Sequence, residues 1–355
     1  MSVLTRTAAA AALACLAMAV ATVPGHAAVP PGAPTAQTPD PAALVQTWLA
    51  DVAAWTQGYD ALTTTRVETL AWLLDSAEVL VERLDTGGSA VATPWARSWA
   101  VEARGRLAAE MDLYRNLATE APAFPASVPT PTSLAARIEV IGRTSDQVGS
   151  LMISTTQACE DYVRVIEAAA SGKPDDYARI DGARLGLLIA QMESEITMMQ
   201  AASAATTGPN LHFARSQVTS NRAMIAWLGH NKRLFSGQSV DGAGTARVIR
   251  GHLAAMRVEV TSMQGALDTF EAQMASEPGF TQTELGRLYG RIAGSLRESA
   301  AVEERMADAL DGLAEAVQSD DEAADDAAAV RIEAVANERV ALDTARRQMI
   351  AQAGD

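Results

Sequence analysis

The chain has 355 residues, 48% of them hydrophobic, and a formal net charge of -15 at pH 7. Such an acidic balance argues against a nucleic-acid or anionic-membrane partner, since both require a basic face, and it suits a protein kept soluble by self-repulsion. Two cysteines and four histidines leave little material for disulfide or zinc chemistry.

The N-terminus reads as a secretory signal. Arg6 supplies the positive charge, Ala8 to Val23 is an apolar run, and Pro24-Gly25-His26-Ala27-Ala28 is a breaker with small residues for cleavage. The run is about 16 residues, short of the ~20 that span a bilayer. Cleavage after Ala27 places Gly25 and Ala27 at the small-residue positions, so residues 1–27 are the expected signal peptide. Lipoprotein processing at Cys15 and an uncleaved anchor are the rivals, the former the more specific. Lipoprotein processing is disfavoured because the run stays apolar for eight residues beyond Cys15. Ala/Arg-rich composition with two lysines, Lys173 and Lys232, points to a bacterium of high genomic GC content. The expected location is therefore the periplasm or the medium. Removal of the signal takes Cys15 and His26 with it and leaves Cys159 alone, so no disulfide can form within one chain.

Residues 28–40 are Pro-rich (Pro30, Pro31, Pro34, Pro39) and read as a linker. Asp40-Pro41 is a helix start, with Asp as N-cap and Pro in the first turn. Trp48, Val52, Trp55, Tyr59, Leu62, Leu70, Leu73, Ala77, Leu80 and Leu84 then mark one helical face. This is either one helix of more than 40 residues or two broken near Gly58. Gly87-Gly88 end it, and Thr93-Pro94 start the next, with Trp95, Trp99, Ala103, Leu107, Met111 and Tyr114 on one face. Residues 41–120 thus form an N-terminal Trp-rich unit. Residues 121–132, with four prolines, form a connector. Residues 133–355 form a six-helix bundle.

That bundle carries three heptad seams. The first runs Leu134, Ile138, Ile141, Ser145, Val148, Met152, Thr155, Cys159, Tyr162, Ile166, Ala169. The second runs Ile249, Leu253, Met256, Val260, Met263, Leu267, Phe270, Met274. The third runs Leu285, Tyr289, Ile292, Leu296, Ser299, Glu303, Met306, Leu310, Leu313, Val317. Alternating steps of four and three imply coiled-coil-like packing of long helices. Weaker periodicity marks Leu185 to Met199, Leu211 to Phe235 and Ile332 to Met349. Short Gly/Pro/Asp-containing breaks force antiparallel neighbours. The expected fold is all-α: long antiparallel helical bundles of about eight helices.

No constellation dictates a chemistry. There is no His-x-x-x-His, Glu-x-x-His or Cys-x-x-Cys, and no phosphate-loop pattern. Gly242 to Arg247 reads as a hairpin loop, and Gly237 to Asp241 misses the nucleophile-elbow pattern. His252, Met256, Met263, Met192, Met198, Met199 and Met224 could offer soft ligands to Cu(I). Methionine filling irregular seams is the simpler reading. Five of the six tryptophans lie in the N-terminal unit, where a packed core is favoured over an aromatic pocket. Ser145, Thr155, Ser299 and Glu303 are polar on the seams, where such residues set register or meet solvent; only a buried Glu303 would require a partner or a raised pKa. Gly286, Gly290 and Gly294 suggest close helix approach, with Gly182 and Gly186 on a matching face. Asp320, Asp321, Glu322, Asp325 and Asp326 read as a solvated helix start rather than a calcium loop.

These readings predict no catalytic residue, cofactor or metal site. The expected function is that of an exported, non-enzymatic envelope protein acting as scaffold or adaptor through protein contacts. Its partner is an envelope protein or a second copy, with no nucleic acid and no membrane span after cleavage. The alternative is a bundle that binds a small ligand or soft metal through Met/His or Trp clusters.

Overall fold

The computed structural model describes residues 41–129, 132–177, 179–203 and 206–351. The signal sequence, the Pro-rich stretch 28–40 and Cys15 lie outside them. The described residues contain no strand. The elements are α1 (Pro41–Thr119), α2 (Thr132–Ala169), the single turn α3 (Pro174–Tyr177), α4 (Arg179–Ser203), α5 (Pro209–Phe235), α6 (Gly242–Ser276), a 3-10 turn (Phe280–Gln282), α7 (Glu284–Ser319) and α8 (Glu322–Ala351). The all-α expectation therefore holds, with seven long helices packed against one another. The count reaches eight when the two arms of α1 are taken separately.

Those arms meet at Gly88, whose φ of 59° and ψ of -160° lie where side-chain-bearing residues are strained. Residues 41–87 and 89–119 fold back on each other. Trp55 Nε1 donates to the Leu117 carbonyl at 2.9 Å, Arg66 pairs with Glu110 at 2.6 Å, and Arg83 lies over the Trp95 ring. Gly58 does not break the first arm. It remains helical, and a side chain there would collide with Leu117. Thr93 is not the start of the second arm either. Its hydroxyl reaches across to the Ala170 carbonyl at 3.1 Å and ties the hairpin to the end of α2.

Helices that follow one another in sequence run antiparallel. Arg104 on α1 reaches Glu160 and Glu167 on α2. Asn221 on α5 meets Glu195 on α4. His212 and His230 on α5 meet Glu259 and Thr245 on α6. Arg250 and Arg297 fix α6 against α7 at opposite ends, and Arg305 and Arg339 on the α7–α8 pair reach Glu338 and Glu303. One core joins α1, α2 and α4 around Leu73, Leu80, Leu107, Tyr162, Ile166 and Leu187. A second joins α5, α6, α7 and α8 around Ile249, Leu253, Met256, Leu310, Leu313 and Ile332. Met192 and Trp227 pack against both, so the seam between the cores runs past these two residues.

The second seam is buried from Ile249 to Leu267, and the first from Met152 to Ala169. The side chains of Leu134 to Val148, Ile138 apart, lie outside the described residues. The third seam starts late: Leu285 is 52% exposed, and burial sets in at Leu296. Gly242 to Arg247 is not a loop but the first turns of α6, because the Asp241 carboxylate accepts from Gly244 N at 2.8 Å and caps the helix.

The glycine ladder of α7 also differs from expectation. Gly286 abuts the Phe280 carbonyl, but Gly290 and Gly294 face open space, while Gly182 and Gly186 face α5. Gly290→Ala is accordingly expected to raise stability by up to about 1 kcal/mol, the helix-propensity difference, since no neighbour opposes the added methyl. A drop in the urea midpoint of the variant would contradict this.

Candidate functional site

The cleft at the seam between the two cores, about 1010 Å³ in volume, is bounded by α4, α5, the end of α7 and the start of α8. Its apolar wall comes from Leu185, Leu188 and Met192 on α4, Met224, Trp227 and Leu228 on α5, and Ala316 and Val317 on α7. Such a volume accepts a drug-sized molecule. Leu234, Phe235 and Val330 stand at its rim, and Phe235 and Val330 are 56% and 66% exposed. The periodicity of α5 placed Phe235 with the core. It falls at the last residue of the helix, beyond the neighbours that would cover it.

The other side of the mouth is acidic for a structural reason. Asp320 terminates α7 in the left-handed region (φ 54°), with its N–H on the Ala316 carbonyl. Asp321 Oδ1 then accepts from Ala324 N at 3.1 Å and caps α8. Acids in a first helical turn are stabilised by the helix dipole. The expected helix-start role is therefore met by Asp321, yet the tight corner also delivers Asp320, Asp321, Asp325 and Asp326 to the cleft, with Glu333 two turns along. Asp325 accepts from Trp227 Nε1 at 2.9 Å, which fixes the indole. Burial pushes the Asp325 carboxyl above its usual range, opposed by the bond from Trp227. His230 binds Thr245 through Nδ1 at 3.1 Å. Burial, then Arg233, lowers its pKa, so it is neutral at pH 7.

Glu195 sits on the inner wall and is 2% exposed. Its Oε1 accepts from Gln191 Nε2 at 2.9 Å and its Oε2 from Asn221 Nδ2 at 3.4 Å. Burial pushes its pKa up to about 8, opposed by those two bonds. Among the described residues no cation offsets the burial. The neighbouring carboxylate Glu303 differs. It is fully buried but paired with Arg339 at 2.6 Å and bonded by Ser216 at 3.1 Å, although burial still leaves its pKa raised.

A small cavity of about 20 Å³, the room of one water molecule, is lined by Met192, Met199, Met224, Met306, Gln217, Asn221 and Arg339. The sequence singled out Met192, Met199 and Met224, and they do meet here. Met256 shares a core cluster with Met224 and Met306 but does not line the cavity, Met263 lies in another cluster, and the Met198 side chain lies outside the described residues. His252 is half-buried on α6, its pKa lowered by burial and by Arg222. The expected His/Met set is thus not assembled, and the Arg339 guanidinium on the cavity wall opposes a cation there. Among the described residues no group of three or more His, Cys, Asp or Glu is placed to hold a metal ion.

The N-terminal tryptophans are packed rather than open. Trp72, Trp95 and Trp99 stack with centroids 5.4 and 6.0 Å apart, and Arg106 and Arg83 cover Trp72 and Trp95. Trp48 and Trp55 bond to the carbonyls of Pro122 and Leu117. The tryptophan that reaches a cleft is the sixth, Trp227, which sequence reasoning passed over. Glu195 was also missed, although a signal existed: it lies three residues after Met192 and four before Met199, an acid on an apolar helical face. Cys159 is buried against Arg66, and burial pushes its thiol up to about 11, which leaves it unreactive at neutral pH. No described helix is long and apolar enough to cross a membrane. Comparison with family models, curated proteins and solved structures gives no match, so function has to be argued from the cleft itself.

Proposed function

We propose that this is an exported, non-enzymatic binding protein whose cleft takes a small amphiphilic organic cation. The observation that carries the reading is the pairing, in one cleft, of an apolar wall with an acidic mouth. The wall would receive the hydrophobic body of the ligand. Asp320, Asp325, Asp326 and Glu333 would select the sign of its charge. The -15 net charge of the chain acts in the same direction and speeds the approach of a cation at low salt.

Octyltrimethylammonium, below its micelle concentration, is expected to bind one to one in calorimetry, while octyl sulfate of the same chain length does not. Replacing Asp325 and Asp326 together by Asn is expected to weaken the cation about 5–10-fold, since each charge at the solvated mouth contributes about 0.5–1 kcal/mol. Equal binding of cation and anion would remove the basis of the proposal.

A second reading, an envelope protein partner acting through contacts, is favoured by the exposed Leu234, Phe235 and Val330 beside the cleft. Replacing these three by Ser would abolish a protein contact. It would leave the affinity for the small cation within about twofold, because a rim residue of a small-ligand site adds little.

A further inference from the structure

We propose that Glu195 is the buried anchor for the ligand's positive charge, and that binding expels the proton of its carboxyl group into solvent. The inference rests on the cleft being a cation site. It adds which residue receives the charge and what the exchange costs.

Three observations meet at Glu195. The side chain is buried, yet it forms part of the cleft wall rather than of the sealed core. Among the described residues no basic side chain pairs with it, in contrast to Glu303. Each of its oxygens accepts from a different side-chain amide, Gln191 on its own helix and Asn221 on α5. Two donors, one on each oxygen, solvate a carboxylate better than a carboxylic acid, which must also find an acceptor for its own proton. The surroundings are therefore arranged for an anion whose countercharge is supplied from the cleft. Without that countercharge, burial keeps the proton on at neutral pH.

The exchange balances simply. The neutral acid and a cation enter, the carboxylate–cation pair remains in the cleft, and one proton leaves to the buffer. The surrounding groups do not supply that proton. His230 on α5 is held neutral by burial. Asp320, Asp321, Asp325, Asp326 and Glu333 line the mouth from the α7–α8 corner and α8. Arg339 on α8 is committed to Glu303. On α2, which packs on α4, Cys159 and Tyr162 belong to the first core, and burial pushes their pKa values up to about 11 and 12. Gln191 and Asn221 do not titrate.

The sign follows. Below about pH 8 the free protein must lose a proton to bind, so affinity falls with falling pH. Above it the proton is already gone, and affinity is flat.

The test is calorimetry of octyltrimethylammonium with the full chain at pH 6, 7, 8 and 9, in two buffers of different ionisation enthalpy. A quaternary ammonium does not titrate, so every proton counted comes from the protein. The dissociation constant is expected to tighten about tenfold per unit from pH 6 to 8 and then level. Close to one proton should be released at pH 6–7 and almost none at pH 9. Glu195→Gln should bind at least tenfold more weakly at pH 9, with no pH slope and no proton release. Wild-type binding that is independent of pH, with no proton released, overturns the anchor while leaving the cation cleft standing, as does a Glu195→Gln variant that keeps the slope. Absence of binding at every pH overturns both. The wild-type proton count decides the matter even if the variant folds poorly.

Discussion

Arg339→Met is expected to destabilise the protein by about 3–5 kcal/mol, the usual cost of leaving one member of a buried ion pair alone. Glu303 is fully buried and Arg339 nearly so, and they meet at 2.6 Å. Ser216 and Ser220 complete the contact from α5. Three helices thus converge on one carboxylate. Removing the guanidinium removes the largest influence that lowers the Glu303 pKa while its burial remains. The folded-state pKa then rises further above the unfolded value. A raised carboxyl pKa costs stability above the unfolded pKa and costs nothing below it. The defect should therefore be largest at neutral and alkaline pH and shrink toward pH 4, measured as urea midpoints of variant and wild type. Combining the change with Glu303→Leu should recover most of the loss, because two apolar groups of similar volume replace the pair. A defect that stays constant from pH 4 to 9 would contradict this account.

Arg66→Met should produce a loss of similar size, about 3–5 kcal/mol, in the other core. Arg66 lies on the first arm of α1 and Glu110 on the second, 2.6 Å apart and both almost fully buried. The same guanidinium reaches α2 at Thr156 Oγ1 (3.0 Å), Cys159 Sγ (3.6 Å) and Met152 Sδ (3.6 Å). One side chain thereby ties the α1 hairpin to α2. Glu110, its pKa raised by burial against the pull of Arg66, would be left as an unpaired buried acid. The prediction is also spatial. Hydrogen exchange should speed up most along α1 and α2 and least in α6 and α7, since Arg66 touches only the first core. Uniform acceleration would show instead that the two cores unfold as one unit.

The fold was largely legible in the sequence because helical burial is written in local spacing. The seam from Ile249 to Leu267 and the seam end from Leu296 to Val317 are buried where steps of three and four predict. The hairpin at Gly87-Gly88 was legible because a left-handed residue is a backbone requirement that glycine announces. The errors share a cause. Gly290 and Gly294, Phe235 and Leu285 all have the right local pattern for burial, but burial also needs a neighbour, and none reaches them. Spacing reports which face of a helix an atom occupies. It does not report how far the next helix extends along that face.

The candidate cleft shows the same division. Its acids were visible as a run, and the turn chemistry that makes Asp320 and Asp321 useful at a helix junction was visible too. What brings them over Trp227 and within one cleft of Glu195 is the meeting of α4, α5, α7 and α8, which places Asp325 on Trp227 across 98 positions of sequence. Glu195 itself was an acid on an apolar face, a pattern that also describes Glu303. Only packing distinguishes the two: α8 brings Arg339 to Glu303, and no described residue does the same for Glu195. An acidic all-α chain, most of its helices and most of its core were readable from period, propensity and turn residues, because these are local. The tertiary structure decided which buried acid is paired, which aromatic faces open space and where a ligand could enter, because those depend on what the rest of the chain leaves beside each residue.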